Sequence, residues 1–225
     1  MKALTEPPWE RIRNRSQMGL YLTSIEKNFI LRSFNFDRHI TLADIGSGGG
    51  KYSILGLQKN AYVISLDRDP DSLKWLSYRN SSSNAILGDA GALPIGENTV
   101  DYILLIEIFD YASDPNTLLK ECHRILKRQG LLIFSFGNTS SLKSKLKQLR
   151  KEQYIQYVCS YREVIRLLND FNFKIIRKEG YNWLFFDRHS DNKFIPFLGR
   201  WVKALRLERL LSLSPWIILC VSKGD

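Results

Sequence analysis

The stretch Thr41-Leu42-Ala43-Asp44-Ile45-Gly46-Ser47-Gly48-Gly49-Gly50 narrows the choice of fold more than any other part of the chain. A short, mostly apolar run that ends abruptly in four glycines and one serine reads as a buried parallel strand entering a turn that opens a helix. Glycines supply positive φ without a Cβ penalty and let the backbone approach a ligand closely. The helix start beyond them offers unpaired N–H groups to polar ligand atoms.

The spacing separates three nucleotide patterns. The phosphate-cradling string G-x-x-x-x-G-K-[ST] fails, because it needs a glycine where Ile45 stands and Ser or Thr where Tyr52 stands. The dinucleotide string G-x-G-x-x-G can begin at Gly46 and Gly48 but meets Lys51 where its third glycine belongs. What fits is D-x-G-x-G-x-G, at Asp44, Gly46, Gly48 and Gly50, and it resembles the first motif of class I S-adenosylmethionine-dependent methyltransferases.

The remaining elements follow in a βα order. Asp44 is succeeded by a helix from about Tyr52, and then by the apolar run Ala61–Asp67, whose closing acid can accept hydrogen bonds from both hydroxyls of a ribose. A helix over 71–78, a serine-rich loop and a third short strand capped by Gly88-Asp89-Ala90 come next. Tyr102 to Ile108 is an almost unbroken apolar run, as expected of a central strand covered on both faces, and its mouth is Glu107-Ile108-Phe109-Asp110-Tyr111. Ligands of open α/β sheets bind off the carboxyl ends of the strands, so this mouth is expected to wall an acceptor pocket. Asp114 starts a helix with Leu118, Leu119, Cys122, Ile125 and Leu126 as its buried stripe, followed by a turn at 127–130 and a fifth strand over 131–136. His123 lies on that helix, away from the strand mouths, and reads as a surface or capping residue.

From Asp44 to Phe136 the resemblance is to the small-molecule class I methyltransferases, the broad group that contains quinone methyltransferases. Besides the glycine turn it rests on Asp67, Gly88-Asp89-Ala90, Leu93-Pro94, Val100-Asp101, Glu121 with Arg124-Ile125-Leu126-Lys127, and Gly130. It implies an α/β, Rossmann-like fold with a seven-stranded sheet, an antiparallel last strand and helices on both faces. It implies S-adenosylmethionine as cofactor, held by Asp44, Gly46, Ser47, Gly48, Gly50, Asp67, Arg68, Asp89, Ala90 and Ile106, with Asp89 beside the adenine amino group. Glu107, Asp110 and Tyr111 are the candidates for a base, Glu107 first, and no metal is expected. Two departures stand out: Lys127-Arg128-Gln129-Gly130 replaces the group's Lys-Pro-Gly-Gly turn, and Tyr111 stands where a histidine often follows the fourth strand.

Outside that core, 1–38 reads as an N-terminal helical cap, with Leu22, Ile25 and Phe29 on one face of a helix over 9–32 and Arg11, Arg13 and Arg15 as a basic cluster before it. Residues 39–136 form the cofactor-binding core. Residues 137–180 hold a Lys-rich amphipathic helix over 140–156 with Leu142, Leu146 and Leu149 at its apolar spacing, a helix over 161–168 and a sixth strand from Phe173 to Arg177. Residues 215–225 supply the seventh strand, antiparallel to the sixth. Between these strands, 181–214 is far longer than a hairpin needs, and long connections are usually functional. It carries an apolar stripe of Phe194, Phe197, Leu198, Trp201, Val202 and Leu205 beside Lys193, Arg200, Lys203 and Arg206. The first expectation is a lid whose apolar stripe walls the acceptor pocket; the second is contact with an anionic membrane.

Charge widens the choice of partner. Thirty-three Lys and Arg against 23 Asp and Glu leave a formal +10, which favours an anionic acceptor, a nucleic acid or an acidic membrane surface, although a merely basic solvated surface has the same composition. Three scattered cysteines suggest neither a zinc site nor a disulfide framework, and with no signal-peptide core and no run of about 18 apolar residues the expectation is a cytoplasmic protein, soluble or peripheral. The expected acceptor is a small or lipid-linked molecule, methylated at O in the first place and at C or N as the alternative. Nucleic acid ranks second, with Phe109 and Tyr111 as an aromatic sandwich for a flipped base. The third reading is a non-catalytic S-adenosylmethionine-binding partner protein. Oligomeric state is left open.

Overall fold

The computed structural model describes residues 6, 7, 10, 15–149 and 159–224. Arg11 and Arg13 of the basic cluster, and the part of the Lys-rich helix beyond 149, lie outside these residues. Its elements are α1 Gln17–Ser33, β1 Thr41–Ile45, α2 Lys51–Leu57, β2 Tyr62–Asp67, α3 Pro70–Arg79, β3 Asn84–Leu87, β4 Val100–Leu105, α4 Pro115–Ile125, β5 Leu126–Gly137, α5 Leu142–Leu149, α6 Tyr161–Asp170, β6 Phe173–Tyr181, α7 Ile195–Ala204 and β7 Trp216–Lys223.

The seven strands form one sheet in the order β3-β2-β1-β4-β5-β7-β6. β1 pairs in parallel with β2 and β4, and β7 runs antiparallel to both β5 and β6. The order reverses between β1 and β4. At such a switch point the two adjoining crossovers run to opposite faces and leave a crevice beyond the carboxyl ends.

Side-chain alternation along the central strands explains why both faces carry helices. Ile103 and Leu105 of β4 join one buried cluster, together with Leu118, Leu119 and Cys122 of α4 and Val164 and Leu168 of α6. Tyr102, Leu104 and Ile106 join the other, with Leu22, Phe29 and Ile30 of α1 and Leu55 of α2. From Tyr102 to Ile106 every position is apolar and buries on one face or the other, as expected of a central strand covered on both sides. Helix starts are written locally. α3 and α4 each begin Asp-Pro, with Asp69 accepting from the N–H groups of Asp71 and Ser72, and Asp114 from those of Asn116 and Thr117. α6 opens on a reciprocal Ser160–Glu163 box.

Several boundaries differ from the sequence reading. The expected turn at 127–130 is folded into a longer β5, with Gln129 at φ +59° and a register shift opposite Val100 and Tyr102. β4 stops at Leu105, before Glu107 turns to φ +61°. β6 extends to Tyr181 because its whole length finds a partner in β7. His123 packs edge-on against Phe173 at 5.4 Å between centroids.

The connection from β6 to β7 departs most from expectation. α7 packs against α1 through Ile195 and through Gly199, where a Cβ would lie 2.4 Å from the Tyr21 ring. Phe194, Phe197, Trp201 and Leu205 face away, each more than half exposed. None of them is among the residues that line the cavity at the strand ends, since a helix laid on α1 can turn only one face inward. Among the described residues no helix is long and apolar enough to cross a membrane.

Candidate functional site

A cavity of about 890 Å³ opens at the carboxyl ends of β1, β2 and β4, within the range of small-molecule sites. Its wall includes Gly46 and Gly48 of the turn, Asp67, Arg68 and Asp69 after β2, Gly88 to Ala92 after β3, Ile106 to Ile108 after β4, and Tyr111 to Asp114. Arg188 and His189 of the long connection complete it.

The glycine turn is shaped by side chains around it. Gly46, Gly48 and Gly50 all have positive φ, and a Cβ on Gly46 would sit 2.2 Å from Ile108 Cδ1. Asp67 ties the turn to β2: its Oδ2 accepts from the Gly48 N–H at 2.7 Å and its Oδ1 from the Asp69 N–H at 2.9 Å. Each carboxylate oxygen keeps a second lone pair, so Asp67 can still take a hydroxyl donor from the cavity side. The Arg79 guanidinium donates to the Gly49 carbonyl at 2.9 Å and lies 3.7 Å from Glu10, which is buried against the turn. Asp89 accepts from the Gly91 N–H at 2.7 Å and is exposed to the cavity.

Seven of the ten expected cofactor residues are on this wall: Gly46, Gly48, Asp67, Arg68, Asp89, Ala90 and Ile106. Asp44, Ser47 and Gly50 are not. Asp44 lies beneath the turn, where Ser53 Oγ donates to its carboxylate at 2.6 Å. Burial raises its pKa to about 6 against that hydrogen bond, with the charges of Asp67 and Glu10 adding to the rise. Gly50 is the left-handed N-cap of α2 and backs onto Leu76. Ser47 Oγ is buried in the turn and has no hydrogen-bond partner among the described residues.

The three candidate bases separate. Tyr111 lines the cavity and is half exposed. Asp110 is buried outside the wall, and both its oxygens accept from the Gly137 N–H, at 3.1 and 2.9 Å. Burial raises its pKa to about 7, the Glu107 charge adds to that, and the Gly137 hydrogen bond opposes it. Glu107 is on the wall, nearly buried, and holds a bidentate ion pair with Arg188, one arm of which is 2.7 Å. A carboxylate gripped on both oxygens is a strut rather than a free base. Phe109, expected to stack a base with Tyr111, is wholly buried against Phe134 and Phe136.

Sequence reasoning missed Arg188 and His189. The loop that carries them is clamped to the start of α1. Ser16 Oγ donates to the Arg188 carbonyl at 2.6 Å, the Met18 N–H to the Ser190 carbonyl at 3.0 Å and the Gln17 N–H to Asp191 Oδ1 at 3.1 Å. The Arg188 guanidinium also lies 5.4 Å from the Trp216 ring centroid. The available signal was the polar run Asp187-Arg188-His189-Ser190-Asp191-Asn192, which directly precedes the apolar stripe that drew attention away from it.

Residues 43–134 match the methyltransferase domain family. Malonyl-[acyl-carrier protein] O-methyltransferase 1 of Coxiella burnetii is 35% identical over 107 residues, covering 46% of this chain and 36% of that protein. The malonyl-[acyl-carrier protein] O-methyltransferase of Hamiltonella defensa is 25% identical over 132 residues, covering 57% and 51%. The chain thus spans about half or less of the length of these curated relatives. Among solved structures, an S-adenosylmethionine-dependent methyltransferase from Mesorhizobium loti superposes with TM-score 0.68 at 14% identity, covering 90% of this chain and 99% of that one. Another from Methanosarcina mazei gives 0.64 at 17% identity, covering 87% and 97%.

Proposed function

We propose that the chain, which matches the methyltransferase domain family over 43–134 and shares the fold of S-adenosylmethionine-dependent methyltransferases, transfers a methyl group from S-adenosylmethionine to oxygen on a small or lipid-linked acceptor. The observation that carries this reading is that the glycine turn, Asp67 and Asp89 converge on one cavity, whose far wall is built by a different segment, Arg188 and His189. Oxygen is favoured because the curated relatives quoted above are named O-methyltransferases.

The residues fit the cofactor. Gly46 and Gly48 hold the positive φ that brings the turn's backbone to the cavity wall, Asp67 offers acceptors for ribose hydroxyls, and Asp89 offers an acceptor for an amino group. S-adenosylmethionine, when bound, supplies an electrophilic methyl on a sulfonium. The protein's task is to align acceptor and methyl and to exclude water. Ile106, Ile108 and Leu118 give that end of the cavity an apolar lining, and the Glu107–Arg188 pair fixes the connection across its mouth. His189 is the base in this reading, because an imidazole on the cavity wall can take the acceptor's proton whereas Glu107 is held by Arg188.

The test is release of S-adenosylhomocysteine across a panel of carboxylic, phenolic and lipid-linked acceptors. His189→Ala should cut the rate at least ~100-fold with cofactor affinity retained, the usual scale for loss of a general base. Equal rates for His189→Ala and wild type would remove the base assignment. Cofactor binding with no release on any acceptor would favour a binding protein.

A further inference from the structure

We propose that α7 and its flanks are a docking surface for an anionic phospholipid membrane. The inference is independent of the acceptor assigned above.

α7 is apolar on two sides, and α1 uses only one. Ile195 and Gly199 face α1, whereas Phe194, Phe197, Trp201 and Leu205 form a second strip at helical spacing that points to solvent, with exposures of 68%, 53%, 55% and 64%. Phe197 and Trp201 meet edge to face at 6.3 Å. A contiguous strip of exposed aromatic and leucine side chains marks a surface that is covered in use.

Charge identifies what covers it. From 193 to 213 the connection holds Lys193, Arg200, Lys203, Arg206 and Arg209 against a single acid, Glu208, and all five cations are exposed. At ~100° per residue Arg200 flanks the aromatic strip, about 60° round the helix from Phe197, whereas Lys203 lies on the opposite side. A second copy of this chain would bring two such basic flanks together with no acids on α7 to offset them. An acidic lipid surface instead accepts the cations at its headgroups and the aromatic strip at the acyl boundary, as interfacial helices do. α5 is tied to the start of the same connection, where Lys143 Nζ donates to the Asn182 and Leu184 carbonyls at 3.2 and 2.7 Å.

The connection begins at the carboxyl end of β6, which runs parallel to β5, so it stands at the end of the sheet where the cavity opens. One segment therefore carries both the cavity wall, at Arg188 and His189, and the lipid-facing strip. Docking would present the cavity mouth to the bilayer surface.

Co-sedimentation with phosphatidylcholine vesicles, with and without phosphatidylserine, tests this on the full chain. Wild type should pellet with phosphatidylserine vesicles at low salt and be released by high salt. Substituting Arg200→Gln, Lys203→Gln and Arg206→Gln together should weaken binding about a hundredfold, at the usual contribution of each cation near an anionic surface. Phe197→Ser with Trp201→Ser should also release the protein although every charge is kept. Both variants should retain the wild-type melting temperature, because neither alters the face on α1. Wild type that ignores phosphatidylserine vesicles at low salt would overturn the proposal. So would a dimer in sedimentation velocity that the Phe197→Ser, Trp201→Ser variant dissolves, or binding to RNA that outcompetes vesicles.

Discussion

Replacing Asp110 by asparagine isolates a carboxylate that the sequence places at the acceptor mouth and the structure places beneath it. Burial holds its pKa at about 7 in the folded protein, against about 3.9 when unfolded. The folded state therefore binds the proton more tightly than the unfolded one. Asp110's contribution to stability is fully present below about pH 4 and is lost as pH rises towards 7, at about 1.4 kcal/mol per unit and roughly 4 kcal/mol in all. Asp44, raised to about 6 for the same reason, adds a slope of the same sign over its own narrower window. The substituted amide keeps an oxygen for the Gly137 N–H but cannot ionise. In urea unfolding at pH 5 and pH 8, the stability of Asp110→Asn relative to wild type should therefore rise by about 3 kcal/mol at the higher pH. A difference between the two proteins that stays constant across that range would refute the reasoning. Methyl transfer should survive the substitution, since Asp110 is not on the cavity wall.

Gly50→Ala should cost roughly 2–4 kcal/mol, because φ is +81° there and the new Cβ would meet Leu76 Cδ1 at 2.1 Å; scanning calorimetry should show the lowered Tm. Arg188→Met leaves the nearly buried Glu107 without its counter-ion. Since Arg188 is a third exposed and the cavity admits water, the expected cost is about 1–2 kcal/mol, mostly recovered when Glu107→Gln is added; a denaturation double-mutant cycle measures the coupling.

The core of the fold was legible because its signals are local. Glycine spacing, acids at strand ends and the unbroken run of β4 each follow from one segment's own burial and turn chemistry, and they place β1 to β5 correctly. The antiparallel pairing of β6 with β7 was also legible, as part of the resemblance. What the sequence could not resolve is which way a side chain points once its strand has ended. Glu107, Asp110 and Tyr111 lie within five consecutive residues, yet Glu107 reaches the cavity wall locked to Arg188 across 81 positions of chain, Asp110 turns away to the Gly137 N–H of β5, and Tyr111 stands half exposed at the cavity. The connection after β6 misled for a related reason. Its apolar stripe predicts amphipathicity correctly, but α7 is apolar on both sides, and periodicity alone cannot say which side α1 takes. Arg188 and His189 precede that helix in a loop whose position is set by hydrogen bonds to the first turn of α1, a contact no local pattern encodes.

The central claim, that the cavity beside the glycine turn is an S-adenosylmethionine site, is tested most directly by titration calorimetry of the full chain with S-adenosylmethionine, wild type against Asp67→Ala. Asp67 both offers hydroxyl acceptors to the cavity and holds the Gly48 N–H, so the account predicts one-to-one binding to wild type and at least a tenfold weaker affinity for the variant, with NAD giving no heat in either. Equal S-adenosylmethionine affinity in the two proteins, or its displacement from wild type by micromolar NAD, would contradict it.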